Sequence, residues 1–289
     1  EAHMVYNFSL PPLLLHALHT GSTRYLTAWA QGVEANPPPP GCTFLNFTAS
    51  HDGIGLRPLE GLVPADEVRM LLHGMHKRGG FLSSRRNTDG SESPYELNIS
   101  YFDAFRAPRV ANDPHHIPCF LVSQIVALSM RGIPALYIHS LTATRNDDHG
   151  VEMLGRTRAI NRRRWDAHEL EQLISDRTSE TGQVFAELTR ILRLRAQQPA
   201  FHPEGAQRVL VLDHHLFGLE RRSPDGDQRV ICLFNFTPDQ RRVSMDEAFW
   251  EQPQATWSDL LTGAAAEIER GQMLLPPYAA CWLVARSVL

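Results

Sequence analysis

The stretch FTASHDGIG, residues 47–55, is an apolar run that ends in a histidine–aspartate pair and then dissolves into Gly-Ile-Gly. A strand that only closes a core needs turn residues at its end, not an imidazole beside a carboxylate. In a parallel (β/α) barrel, function sits on the loops that follow the C-terminal ends of the strands. His51 and Asp52 stand in that place, directly after the apolar run CTFLNFTA (42–49). Taken alone, the pair also reads as an Asx-turn with a helix-capping role.

Working outward, MVYNF (4–8) is a first short β-rich run, followed by Pro11 and Pro12 and the apolar helix LLLHALHT, stopped by Gly21. Helical character resumes through YLTAWAQGV to Val33, and PPPPG (37–41) makes a stiff connector to the second strand. Residues 65–78 predict a helix with Val68, Met70, Leu71, Leu72 and Met75 on one face. The stretch 79–117, rich in Gly, Ser, Asn, Asp and Pro, reads as a long irregular loop of the functional kind. CFLVSQIVALSM (119–130) predicts a buried helix and IPALYIHS (133–140) a third strand, with a polar loop continuing to about Ile160. This strand–helix–strand grammar implies an α/β fold with a parallel sheet covered by helices. An amphipathic helix over about 180–197 closes the series. Beyond QQPAFHP (197–203), short strands with the turns SPDGD (223–227) and PDQ (238–240) predict a small antiparallel β domain. The expected division is therefore 1–202 and 203–289.

Composition excludes several classes. With 43% hydrophobic and 21% charged residues the chain is an ordinary soluble type. A net charge of −4 offers no footprint for nucleic acid. The short basic run Arg162–Arg164 reads as a solvated helix start. Nothing approaches a membrane span or a signal peptide. Cys42, Cys119, Cys232 and Cys281 stand far apart in or beside apolar runs, as buried free thiols do, which favours a reducing cytoplasm. The histidine-bearing stretches NDDHG (146–150), PHHIP (114–118) and DHH (213–215) lack matched ligand spacing, so no metal site is expected. The opening EAHMVYNF is already strand-like and has no starting Met, which suggests a segment of something longer.

Longer stretches carry a resemblance. FLNFTASHDGIG resembles the seventh-strand motif of the α-amylase-type glycoside hydrolase clan. MVYNFSLPPLLLHAL, SPYELNISYFDAF, RNDDHG with GRTRAINRRRW, and WSDLLTG with LPPYAACWL resemble sucrose phosphorylase and its relatives, in the same order along the whole chain. The resemblance implies strands six to eight of a (β/α)8 TIM barrel plus a C-terminal antiparallel β domain. It implies an enzyme transferring an α-glucosyl group between a small acceptor and inorganic phosphate, with no further cofactor. The family's nucleophilic aspartate and general-acid glutamate follow strands four and five, upstream of Glu1, so the isolated chain is expected to be inactive. The other barrel half would come from another chain or have been lost, unless self-association covers the open edge.

By the same resemblance Asp52 is the transition-state-stabilising carboxylate, and His51 hydrogen-bonds the same sugar. Arg158 contacts the sugar beside that carboxylate, or is a surface arginine at a helix start. Tyr95 lies in a loop that exchanges acceptor and phosphate recognition, or packs beneath it. Glu96 takes a substrate-binding position where sucrose phosphorylases carry an uncharged amide. SPYELNISY is closer to relatives acting on glucosylglycerate or glucosylglycerol, which puts fructose as leaving group in doubt. Asn98 braces the loop. The alternatives are a hydrolase or transglucosidase of the same clan, and a non-catalytic carbohydrate- or partner-binding module.

Overall fold

The computed structural model describes residues 2–110, 112–245 and 256–286. Three parallel strands form its organising sheet. The chain enters through β1 (Met4–Tyr6) and passes helices α1 (Leu10–Thr20) and α2 (Arg24–Ala35) before β2 (Thr43–Phe47). Helix α1 is apolar on nearly every side, which is why Leu10, Leu13, Leu14 and Leu15 are all buried. Gly21 ends it in the left-handed conformation at φ 66°, its N–H returning to the Ala17 carbonyl. After β2 come β3 (Ile54–Gly55), α3 (Ala65–His76), β4 (Phe81–Arg86), β5 (Glu92–Asn98), α4 (His116–Ser129) and β6 (Ile133–Ala135). Strand β2 lies between β1 and β6, parallel to both, with Tyr6 opposite Leu45 and Leu45 opposite Ile133. Each outer strand keeps one edge without a strand partner among the described residues. All three residues of β1 are exposed, unlike the covered strands of a complete parallel sheet.

Several sequence expectations are corrected here. The stretch 79–117 is not an irregular loop. Strands β4 and β5 form a hairpin that joins β3 in an antiparallel sheet of order β3-β5-β4. The turn NTDGS (87–91) carries the Asp-Gly hairpin signal, with Gly90 at φ 84°. Strand β4 is exposed at almost every position, so it has no apolar alternation to betray it. Pro94 is tolerated because it falls at the register shift opposite Ser83 and Ser84. The third strand is shorter than 133–140: the chain leaves β6 for a helical turn, α5 (Ile138–Leu141). The polar region before Ile160 holds α6 (Asp148–Leu154), capped by the Asp147 carboxylate on the Gly150 N–H. Met70 points outward at 74% exposure. The basic run lies between α6 and α7 (Ala167–Ser175), and two of its arginines, Arg162 and Arg163, have specific partners rather than solvent alone.

Helix α8 (Glu180–Ala196) leads into strands β7 (Ala206–Val209), β8 (Leu216–Arg222), β9 (Arg229–Asn235), β10 (Arg241–Ser244), β11 (Thr256–Asp259), β12 (Ile268–Glu269), β13 (Gln272–Leu275) and β14 (Ala280–Arg286). They make a five-stranded sheet, β11-β14-β9-β8-β7, and a three-stranded one, β10-β13-β12. One core runs from α1 and α4 into β8, β9 and β14, and a second lies around Leu233, Val243, Trp257 and Leu283. None of the four cysteines forms a disulfide, and no described helix is long and apolar enough to cross a membrane.

Glu220, on β8, is almost fully buried yet faces Arg208, Arg222 and Arg229. Burial alone would raise its pKa, but hydrogen bonds from Arg229, Arg208 and Arg222 bring it down to about 2 from 4.5. A carboxylate depressed on folding stabilises the fold above its unfolded pKa and loses that contribution as pH falls toward the folded value. The chain is therefore expected to lose stability between pH 4.5 and 2. Glu220→Gln should flatten that acid limb in urea titrations at stepped pH; an unchanged slope would count against Glu220 as its source.

Candidate active site

The question posed by His-Asp-Gly has a steric answer. Gly53 follows Asp52 because the Glu96 side chain passes against its α-carbon. A β-carbon there would lie 2.5 Å from Glu96 Cγ and 2.7 Å from the Leu97 carbonyl oxygen. The close approach lets the Gly53 N–H donate to Glu96 Oε1 at 3.2 Å. Pairing of β3 with β5 sets this register, with Gly55 opposite Glu96, and the Leu56 N–H donates to the Tyr95 carbonyl.

Glu96 is 5% exposed. Its two oxygens receive Arg158 in a fork: Nε on Oε2 and Nη2 on Oε1, both at 2.9 Å. The remaining guanidinium nitrogen, Nη1, lies 2.9 Å from Asp52 Oδ1. One planar cation thus joins the two carboxylates, a geometry suited to arginine rather than lysine. Arg162, from the basic run, adds a second cation. It donates through Nη2 to Asp52 Oδ1 at 3.3 Å and through Nε to the His51 carbonyl at 2.7 Å. Asp52 Oδ1 therefore takes both guanidinium groups, whereas among the described residues Oδ2 has the His51 ring as its one charged neighbour, at 3.6 Å.

The 3-10 turn Thr157–Asn161 brings these arginines to the strand end. Asn161 Nδ2 donates to the Ser50 carbonyl at 2.7 Å, and the Asn161 carbonyl accepts from the Tyr137 hydroxyl at 2.8 Å. Asn98, fully buried on β5, donates to Ser83 Oγ at 2.9 Å across the hairpin and so braces it.

A cavity of about 450 Å³ opens over this cluster. Asp52, Tyr95, Glu96 and Arg158 line it, with Phe8 and Phe47 on the wall formed by the strand ends. Tyr95 stands on β5 at 42% exposure, a cavity wall rather than packing beneath a loop. His51 is not part of the lining; its exposed ring sits beside Asp52. Of the five residues singled out from the sequence, the structure thus gathers four around the cavity and leaves His51 at its margin. Sequence reasoning missed Arg57, which lines the same cavity, and Arg162, which holds Asp52. No local signal marks the latter: Arg162 follows the 3-10 turn, and its partner Asp52 lies 110 residues away in sequence. Apolar and aromatic walls with a few fixed polar groups are the makings of a small-molecule site. Carboxylates beside an aromatic wall suit a polyhydroxylated ligand.

Asp213, His214 and His215 place donor atoms within 4.8 Å of one another on the turn before β8. They are largely exposed, and the His215 ring Nδ1 lies 2.6 Å from the Gly21 carbonyl oxygen.

No protein-family model matches the chain. It is 38% identical over 245 residues to glucosylglycerate phosphorylase of Escherichia coli (strain K12), covering 85% of this chain and 43% of that protein. Identity to glucosylglycerate phosphorylase of Spirochaeta thermophila is 35% over 290 residues, covering 98% of this chain and 49% of that protein. The chain thus spans about half the length of the curated relatives it matches. Among solved structures, sucrose 6F-phosphate phosphorylase from Thermoanaerobacter thermosaccharolyticum superposes with a TM-score of 0.67 at 21% identity, over 86% of this chain and 46% of that one. That likeness shows a shared fold.

Proposed function

Because this chain belongs to the glucosylglycerate and sucrose phosphorylase family, we propose that it forms part of a retaining glycoside phosphorylase. The reaction moves an α-glucosyl group between a small acceptor and inorganic phosphate, and the acceptor is of the glycerate type. The observation that carries the reading is the Asp52–Arg158–Glu96 cluster at the end of a parallel strand, facing a cavity of monosaccharide scale.

Asp52 is the group we assign to the transition state. Cleavage at an anomeric carbon passes through a state with positive charge on the ring, and a fixed anion against that ring lowers the barrier. Arg158 and Arg162 hold the carboxylate in place through one oxygen, so the other can meet sugar hydroxyls. Glu96 acts one step back by fixing the plane of Arg158. Tyr95 provides the acceptor-side wall, and His51 completes the rim. No cofactor or metal enters the scheme; phosphate is a co-substrate.

A retaining transfer needs two carboxyl groups about 5–5.5 Å apart, one attacking and one protonating the leaving oxygen. Glu96 and Asp52 are both engaged by the same guanidinium, so neither suits those parts. By the family resemblance, which places them after strands four and five, we assign the nucleophile and the general acid to residues outside this chain. The exposed strand β1 is where further strands of a (β/α)8 barrel would add, from another stretch of polypeptide or a second copy. Residues 1–202 would then be the barrel part and 203–289 the accessory β domain.

The test is product analysis on the complete polypeptide. With glucosylglycerate and phosphate it should release α-glucose 1-phosphate at a rate set by phosphate concentration. Glucose release without phosphate would instead mark a hydrolase, and absence of turnover with saccharide binding retained would mark a binding module.

A further inference from the structure

We infer that Arg57 is the specificity-determining residue that receives an acceptor carboxylate; this rests on the phosphorylase reading above. The lining carries the carboxylates of Asp52 and Glu96 and the guanidinium groups of Arg57 and Arg158. Arg158 is fully committed, two nitrogens to Glu96 and the third to Asp52. Arg162 is committed to Asp52 and the His51 carbonyl. Both lining carboxylates are thereby compensated, and among the described residues no carboxylate lies within ion-pair distance of Arg57. One exposed cation faces an otherwise balanced cavity.

Its placement adds a direction. Arg57 opens the 3-10 turn Arg57–Leu59, whose Leu59 is buried in the core. The preceding Leu56 N–H is bonded to the Tyr95 carbonyl. The backbone bearing Arg57 is thus pinned beside the aromatic residue on the acceptor side, while the side chain stays solvated and free to pair. A planar carboxylate on a short polyol matches a guanidinium bidentately; an uncharged polyol or ketose offers it nothing comparable. Discrimination between glycerate and glycerol would then lie largely in this one contact.

Inorganic phosphate is the other anion of the reaction and could claim the same cation, so the experiment separates the two. Arg57→Gln and Arg57→Lys are made in the complete polypeptide. Glucosyl transfer from α-glucose 1-phosphate to D-glycerate and to glycerol is compared, and the KM for phosphate is measured in phosphorolysis. Loss of a charge-assisted contact predicts that the glycerate-over-glycerol ratio of kcat/KM falls roughly 30-fold in Arg57→Gln. Arg57→Lys should recover part of it. Equal losses with both acceptors, or a phosphate KM that rises while the ratio holds, would overturn the assignment. Ligand-observed NMR on this chain itself gives a readout independent of turnover: D-glycerate should bind the native chain and not Arg57→Gln. Native binding that survives the substitution would also overturn it. A native enzyme with no glucosyl transfer, yet with Arg57-dependent glycerate binding, would sink the phosphorylase reading and leave the anion assignment standing.

Discussion

Asp52→Asn in the complete enzyme should lower kcat by about 10²–10³, as comparable preorganised electrostatic groups do when removed. Asparagine keeps the size and hydrogen-bonding outline of the side chain but removes the negative charge that faces the ring as positive charge develops. KM should move far less, because the lost interaction grows only toward the transition state. The fold should be indifferent. The carboxylate is 43% exposed, and its ion pairs with Arg158 and Arg162 are of the solvated kind worth about 0–1 kcal/mol. Near-native turnover in the variant would remove Asp52 from the chemistry, and a collapse in thermal stability would show that its role is structural.

The second large effect is on stability. Trp282, on β14, is fully buried in the core that joins the β strands to the helices. Its ring packs on Phe201 with centroids 4.5 Å apart, and Nε1 donates to Ser129 Oγ at 2.7 Å. Arg221 Nη1 meets the carbonyl of the same serine at 2.9 Å, so the last residue of α4 is held from two strands. Trp282→Ala should cost about 3–5 kcal/mol through lost burial and the cavity left behind. Trp282→Phe, which keeps one six-membered ring but loses the pyrrole portion and its hydrogen bond, should cost less, about 1–3 kcal/mol. Urea denaturation of the two variants checks the ranking. Similar small losses for both would mean that this junction is not a principal source of stability.

Much of the parallel sheet was legible because its signals are dense and local. The apolar runs at 42–49 and 119–130 and the proline and glycine punctuation around α1 sit close to where the elements begin and end. The position of Asp52 at a strand end was legible from the apolar run breaking into Gly-Ile-Gly, whereas its role was read from the family resemblance, because the pair alone fits an Asx-turn equally well. What escaped the sequence was set by long-range pairing. Strand β4 is polar and exposed, so nothing in its composition separates it from a loop; only its pairing with β5 makes it a strand. The bond between Arg158 and Glu96 spans 62 residues, and that between Arg162 and Asp52 spans 110. No periodicity encodes such contacts. Arg57 was passed over because an arginine beside a proline looks like any solvated turn until the cavity it lines is known.

The most direct measurement is a crystal structure of the complete polypeptide soaked with D-glucose or its bound glucoside. The account predicts a pyranose in the cavity walled by Tyr95 and Phe47, with the Asp52 carboxylate at about 2.7–3.0 Å from ring hydroxyls. Arg158 should still be forked on Glu96. A sugar seated elsewhere, with Asp52 turned from it and no hydrogen bond between them, would contradict the account.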